Sequence, residues 1–218
     1  ILAFSRGGTR PATVFALWPV VEQALGLLAA TLPAGVRIER VNDAPHALVR
    51  GDATAMFEAV MNLCTNALQA MPQAGVLRVA VHERVTSAAQ ELTHGSLTAG
   101  RHVVLEVADT GAGMNTATLE RLFEPFFSTR GQRGTGLGLA VVHGVVQDMN
   151  GAIDVHSRLG EGSRFSLWLP AARPAASTVN PVVGAEPAAG EVPRGQGQVV
   201  LVVDDEPALV SLAEERLA

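Results

Sequence analysis

Two rhythms of apolar and polar residues run along this chain. In 53–71, "ATAMFEAVMNLCTNALQAM", Phe57, Val60, Met61, Cys64, Leu68 and Met71 recur at helical spacing and predict one buried stripe. The same period predicts helices over 18–32, with Pro19 in the first turn, over about 138–149, and a short one over 115–122. A period of two predicts strands at 35–41, 75–85 and 101–110, with a short candidate at 13–17. "LVRGD" (48–52) reads as a short extended piece, and Asp52 is a good N-cap for the stripe helix. "GAIDVHS" and "GSRFSLWLP" read as two closing strands across a turn at Leu159–Glu161, and 86–100 as a polar loop. Strands and helices do not alternate as simple βαβ units. The pattern predicts an α+β two-layer sandwich: a mixed, mainly antiparallel sheet of about five strands, with about three helices on one face.

Composition divides the chain. Residues 171–197 are rich in Ala, Pro, Gly, Val and Ser without amphipathic period, which predicts a linker. At 198–218 an apolar strand, an acidic turn and a helix start a second unit, and "ILAFSR" (1–6) reads as the end of a helix. Apolar residues make up 48% of the chain, enough for a core. The net charge of −5 and the lack of a basic run argue against nucleic acid and anionic membrane as partners. A single cysteine, Cys64, excludes an intramolecular disulfide framework and fits a reducing, cytoplasmic setting. Neither a membrane span nor a signal peptide is evident.

Three features carry chemistry. Asn62 and Asn66 stand four apart on the stripe helix, so their amides share a face and suit a hydrated Mg²⁺. In "EVADTGAGM" (106–114) a strand ends in Asp109, followed by Gly111 and Gly113. A carboxylate fixed there can accept from an exocyclic amine, and the glycines would let a flat ring approach the backbone. In "RGTGLGLA", Gly134, Gly136 and Gly138 precede a helix start, where exposed amides and partial positive charge suit a phosphate; Arg130 and Arg133 lie just upstream. Each feature also has a plain structural reading: polar residues at a helix edge, a strand-ending turn, and a flexible glycine-rich cap.

Taken in order, these motifs resemble the ATP-binding domain of sensor histidine kinases, whose superfamily includes gyrase, Hsp90 and MutL-type ATPases. The resemblance rests on Asn62 and Asn66, on Asp109, Gly111 and Gly113, on Phe123, Phe126 and Phe127, and on Gly134, Gly136 and Gly138. It covers about residues 1–170, with 1–12 as the end of a dimerisation helix and 13–170 as a Bergerat-type catalytic domain. It implies that Asp109 reads the adenine amino group. Asn66, with Asn62, would serve Mg²⁺ and the phosphates as the catalytic pair. Residues 123–136 would form a mobile lid over ATP, with Phe123, Phe127 and Arg130 near the nucleotide. Gly134, Thr135, Gly136, Leu137, Gly138 and Leu139 would lead phosphate to the backbone amides of the helix start.

Hydrolytic members of this superfamily carry Glu where this chain has Asn62; an amide cannot take a proton from water, so kinase chemistry is implied. Glu58 is the nearby candidate base for a hydrolytic alternative, and a degenerate docking module is a second alternative. None of His46, His82, His94, His102, His143 and His156 has the context of the family's phosphoacceptor. The chain is therefore expected to bind ATP without carrying its own phosphoryl target. "VVLVVDDEPALV" resembles the opening of a receiver domain, in which Asp204 and Asp205 would help hold Mg²⁺. The implied partners are a dimerisation domain of the same parent and a receiver or response regulator. A monomer is expected for this chain, within a homodimeric parent.

Overall fold

A computed structural model describes residues 12–128 and 135–173. All belong to a unit spanning Ile1–Ser177. The expected helix end at 1–6, the linker beyond 173 and the second unit at 198–218 lie outside the described residues.

The elements run β1 (Thr13–Ala16), α1 (Leu17–Ala29), β2 (Gly35–Asn42), β3 (Leu48–Gly51), α2 (Ala53–Ala70), β4 (Ala74–Thr86), β5 (Gln90–Glu91), β6 (Ser96–Leu97), β7 (Gly100–Asp109), α3 (Thr116–Leu119), α4 (Gly138–Asp148), β8 (Ala152–Arg158) and β9 (Gly162–Pro170). Five strands form one sheet in the order β2-β4-β7-β9-β8. Its β2–β4 pair is parallel and the rest are antiparallel, as the alternation predicts. β1 and β3 make a separate two-stranded ladder.

Register aligns the buried side of the sheet into rows. Val79, Val107, Phe165 and Val155 stand opposite one another across four strands, as do Val81, Leu105, Leu167 and Ile153. These residues share one apolar cluster with the buried faces of α1, α2 and α4. Full burial of each large side chain contributes about 1.5–3 kcal/mol. The next row is Leu77, Asp109, Ser163 and Ser157. Because the pleat repeats every two residues, this row points the same way as the apolar ones. The core side of the sheet thus changes from hydrocarbon to polar groups at the end of β7.

Helix α2 begins at the expected cap: Asp52 Oδ1 accepts from Thr54 N–H at 2.8 Å and Ala55 N–H at 3.3 Å. Its buried arc is wider than the expected stripe. Met56, Ala59, Leu63 and Ala67 are buried beside Val60 and Cys64, whereas Phe57, Met61 and Leu68 are half-buried. The reason is that α2 packs against both α1 and α4.

The expected polar loop at 86–100 contains the β5–β6 hairpin. Its tip caps the free edge of the sheet: His94 exchanges backbone bonds with Ile153 at 2.9 and 2.8 Å, and Thr93 Oγ1 donates to Asp154 Oδ1 at 2.7 Å. Such pairing blunts an edge strand. Among the described residues no helix is long and apolar enough to cross a membrane.

Candidate nucleotide-binding site

A cavity of about 610 Å³ is lined by one flank of α2, the end of β7 and the loop after it, and the start of α4. Its volume falls within the ordinary range for small-molecule sites. Asn62, Asn66, Asp109, Gly113, Phe127, Thr135, Gly136, Gly138 and Leu139 all line it. Asn62 and Asp109, 47 positions apart in the chain, are brought to one cavity by the packing of α2 on the sheet. Gly111, Phe123 and Leu137 are not part of the lining. Arg130, Arg133 and Gly134 lie outside the described residues, as do Asp204 and Asp205.

Asp109 ends β7 half-buried. Its Oδ1 accepts from Gly111 N–H at 2.7 Å, and the backbone and hydroxyl of Ser163 also bond it. Burial raises its carboxyl above the usual carboxylate range, and these hydrogen bonds pull it partly back. A carboxylate offers roughly four acceptor positions. The Gly111 bond leaves acceptor capacity for a ligand.

The glycines after Asp109 are explained by backbone packing. A Cβ at Gly111 would lie 2.7 Å from the Ala70 carbonyl oxygen, and Ala112 N–H donates to that oxygen at 3.2 Å. Gly113 has φ +63°, and a Cβ there would collide with the Arg158 carbonyl. The loop is therefore clamped between the end of α2 and the β8–β9 turn. Close approach to backbone is by itself enough to exclude a side chain at these two positions.

Helix α4 starts with Gly138, which lines the same cavity. Its N-cap, Leu137, supplies no side-chain bond to the first-turn amides, which leaves them to another acceptor. A Cβ on Gly138 would come within 3.1 Å of Asn62 Oδ1, so the Asn62 amide sits against the helix start. Gly136 (φ +65°) accepts from Phe126 N–H at 3.0 Å, and Phe126 itself has φ +67°. Arg121 lies over the Phe127 ring at 4.4 Å. Phe123 turns instead to two histidines, with ring centroids 4.4 Å from His94 and 5.1 Å from His143.

Among the described residues no three His, Cys, Asp or Glu side chains cluster as a metal cage. Two carboxamides on one wall fit Mg²⁺, which takes oxygen donors, few of them from protein, and completes its shell with water and phosphate. Burial pushes the Cys64 thiol to about 12, which makes it inert. Glu58 is exposed on α2 and does not line the cavity.

Sequence reasoning missed Ser157, Gly162 and Ser163. Ser157 Oγ accepts from Met114 N–H at 2.8 Å, donates to Gly162 O at 2.9 Å and lies 3.1 Å from Ser163 Oγ. Gly162 has φ +91°, and a Cβ there would strike the Asp109 carbonyl. Serines in a strand carry little local signal; only the β7–β9 register reveals their neighbour.

A carboxylate at a strand end and the start of a helix line one cavity beside a mixed five-stranded sheet in an α+β fold. Residues 51–173 match the model of the "Histidine kinase-, DNA gyrase B-, and HSP90-like ATPase" family. The chain belongs to that family. It is 33% identical over 171 residues to the sensor kinase CckA of Brucella abortus, covering 78% of this chain and 18% of that protein. It is 38% identical over 122 residues to the sensor histidine kinase ZraS of Escherichia coli O157:H7, covering 56% and 23%. The chain thus spans about a fifth of the length of these relatives. Among solved structures, full-length ShkA in complex with AMPPNP superposes with a TM-score of 0.61 at 25% identity, covering 76% of this chain and 32% of that one. The mycobacterial sensor histidine kinase MprB shares the fold, with a TM-score of 0.60 at 23% identity over 73% of this chain and 97% of that one.

Proposed function

We propose that this domain binds ATP in the cavity between Asp109 and the start of α4 and presents its γ-phosphoryl to a histidine on a separate dimerisation domain. The observation that carries the reading is that Asp109, Asn62, Asn66 and Gly138 line one cavity. Asp109 accepts from the adenine amino group. The α4 amides near Gly138 and Leu139 take up phosphate charge, and Asn62 and Asn66 orient the triphosphate. Mg²⁺ would be held by Asn66, with Asn62 beside it, and would neutralise phosphate charge. The acceptor imidazole attacks Pγ, the bond from Pγ to the β,γ-bridging oxygen breaks, and ADP leaves. The domain's contribution is positioning and charge neutralisation.

The phosphoryl would then pass to an Asp of a receiver or response regulator. On sequence grounds, 1–12 ends a dimerisation helix, 171–197 is a linker and 198–218 opens a receiver, with Asp204 and Asp205 as its acidic pair. A cytoplasmic setting, a monomeric chain and a homodimeric parent complete this reading. The exposure of Glu58 and the amide at 62 speak against hydrolysis.

The test is phosphotransfer in trans. With labelled ATP and an added dimerisation domain, label should appear on that domain's histidine. Calorimetry with Mg²⁺-ADP should show binding that Asp109→Asn weakens at least about tenfold. No binding by the wild-type chain would leave only a docking role.

A further inference from the structure

We infer that Arg121 is a positioning residue for the nucleotide cavity: its guanidinium, steered by Glu124, holds the Phe127 ring in place as part of the cavity wall. The inference deepens the ATP-binding reading and rests on it. Phe127 lines the cavity and Arg121 does not. Arg121 therefore acts through the ring and not on the nucleotide itself.

The way this segment is built creates the need for such a support. Leu122 is buried and Phe123 packs on the apolar cluster, which fixes the start of the segment to the body of the domain. Two turns follow: Glu124 N–H donates to Arg121 O at 2.9 Å, and Phe127 N–H donates to Glu124 O at 3.1 Å. Phe126 N–H donates to Gly136 O at 3.0 Å, so the backbone around Phe127 is held at two points. The ring is held differently. Phe127 is half-buried and does not join the apolar cluster that receives Phe123. Backbone bonds fix its Cα but leave a choice of staggered χ1 positions.

Arg121 supplies the contact that makes this choice. Both turns close over three residues, a spacing that brings side chains i and i+3 nearly above one another, so 121, 124 and 127 share a side. Arg121 Nε donates to Glu124 Oε2 at 2.8 Å, and Arg121 Cζ stands 4.4 Å from the Phe127 ring centroid. The Nε–H lies in the guanidinium plane. The carboxylate therefore takes the edge of the group and leaves its flat face for the ring. A cation over an aromatic face is attracted by the ring quadrupole. The Arg121 and Glu124 side chains are 56% and 52% exposed, so the ion pair adds little to the stability of the fold. Its effect is on where the ring stands.

The test is calorimetry with Mg²⁺-ADP on the full chain. Arg121→Ala should weaken binding about two- to fivefold, the weight of an exposed cation on a ring, and leave the melting temperature nearly unchanged. Phe127→Leu removes the ring face, and in that background Arg121→Ala should have no further effect. Glu124→Ala should weaken binding in the same direction, because the guanidinium loses its guide. If Arg121→Ala does not fold, Arg121→Gln takes its place in the same cycle. In the unliganded chain, NMR should show the Arg121 Nε–H proton shifted by the ring current of Phe127, and the shift should vanish in Phe127→Leu. Four results would overturn the inference alone: unchanged affinity in a folded Arg121 variant, equal losses in both backgrounds, no ring-current shift, or tighter binding by Glu124→Ala, the sign of a freed arginine reaching phosphate directly. Failure of the wild-type chain to bind Mg²⁺-ADP would overturn the ATP reading itself, and the inference with it.

Discussion

Phe126 and Gly136 are joined by a backbone hydrogen bond of 3.0 Å, and both sit in the left-handed region, at φ +67° and +65°. This bond closes the base of the segment between them. A Cβ at 136 would strike the Phe126 backbone as well as strain its own. Gly136→Ala should therefore destabilise the domain by about 1–2 kcal/mol or more. It should also weaken ATP binding, because Gly136 lines the cavity. Thermal melts and calorimetry check both effects.

Asp109 gives two pH dependences of opposite sign. Burial raises its folded value above the ordinary 3.8. The stability the unliganded fold draws from this group is present in full below the ordinary value and is lost as pH rises through the folded one. In the proposed function nucleotide binding needs the carboxylate, so affinity should grow over the same window. Melts from about pH 4 to about pH 7, with and without ATP, should show the stabilisation by ATP growing with pH. In Asp109→Asn that growth should be absent.

His94 predicts a second acid-sensitive point. Burial first, and the charge of His143 second, lower its pKa below 6.5. It remains neutral in the fold, so its stabilising contribution is present above 6.5 and is lost as pH falls through that value toward the folded pKa. In His94→Phe the loss of melting temperature on mild acidification should be smaller than in wild type. Phe123→Ala, which removes the ring packed against both histidines, should cost roughly 2 kcal/mol, less than a fully buried Phe because Phe123 is only half-buried.

Glu58→Gln should leave ATP binding and any residual turnover unchanged, since Glu58 is exposed and outside the cavity. Asn66→Ala should lower phosphotransfer at least about tenfold while the site still binds adenosine. An assay with and without added acceptor domain separates the two residues.

Local pattern made much of this fold legible. The strands β4, β7 and β9 are legible in the sequence, whereas the register shows that Val79, Val107 and Phe165 share the core side with Asp109. The stripe helix was clear, but its arc was misjudged because Ala59 and Ala67 carry little apolar weight and yet are buried between neighbouring helices. The β5–β6 hairpin was hidden because it has only two residues a side and is held by tertiary contacts to β8. The motif glycines marked the site, although Gly111 and Gly113 are required by backbone contacts to Ala70 and Arg158. Ser157 and Ser163 depend on a pairing between segments 54 residues apart, Asp109 with Ser163, which no local period encodes.

That pairing also makes the site a proofreader of its own assembly. A slip of one residue between β7 and β9 would bring Arg164 or Gly162 opposite Asp109 in place of Ser163, and would turn a whole strand inside out. A misthreaded molecule would lack the polar row that the proposed function assigns to the base. Retention on immobilised ATP would therefore separate correctly threaded molecules from compact impostors.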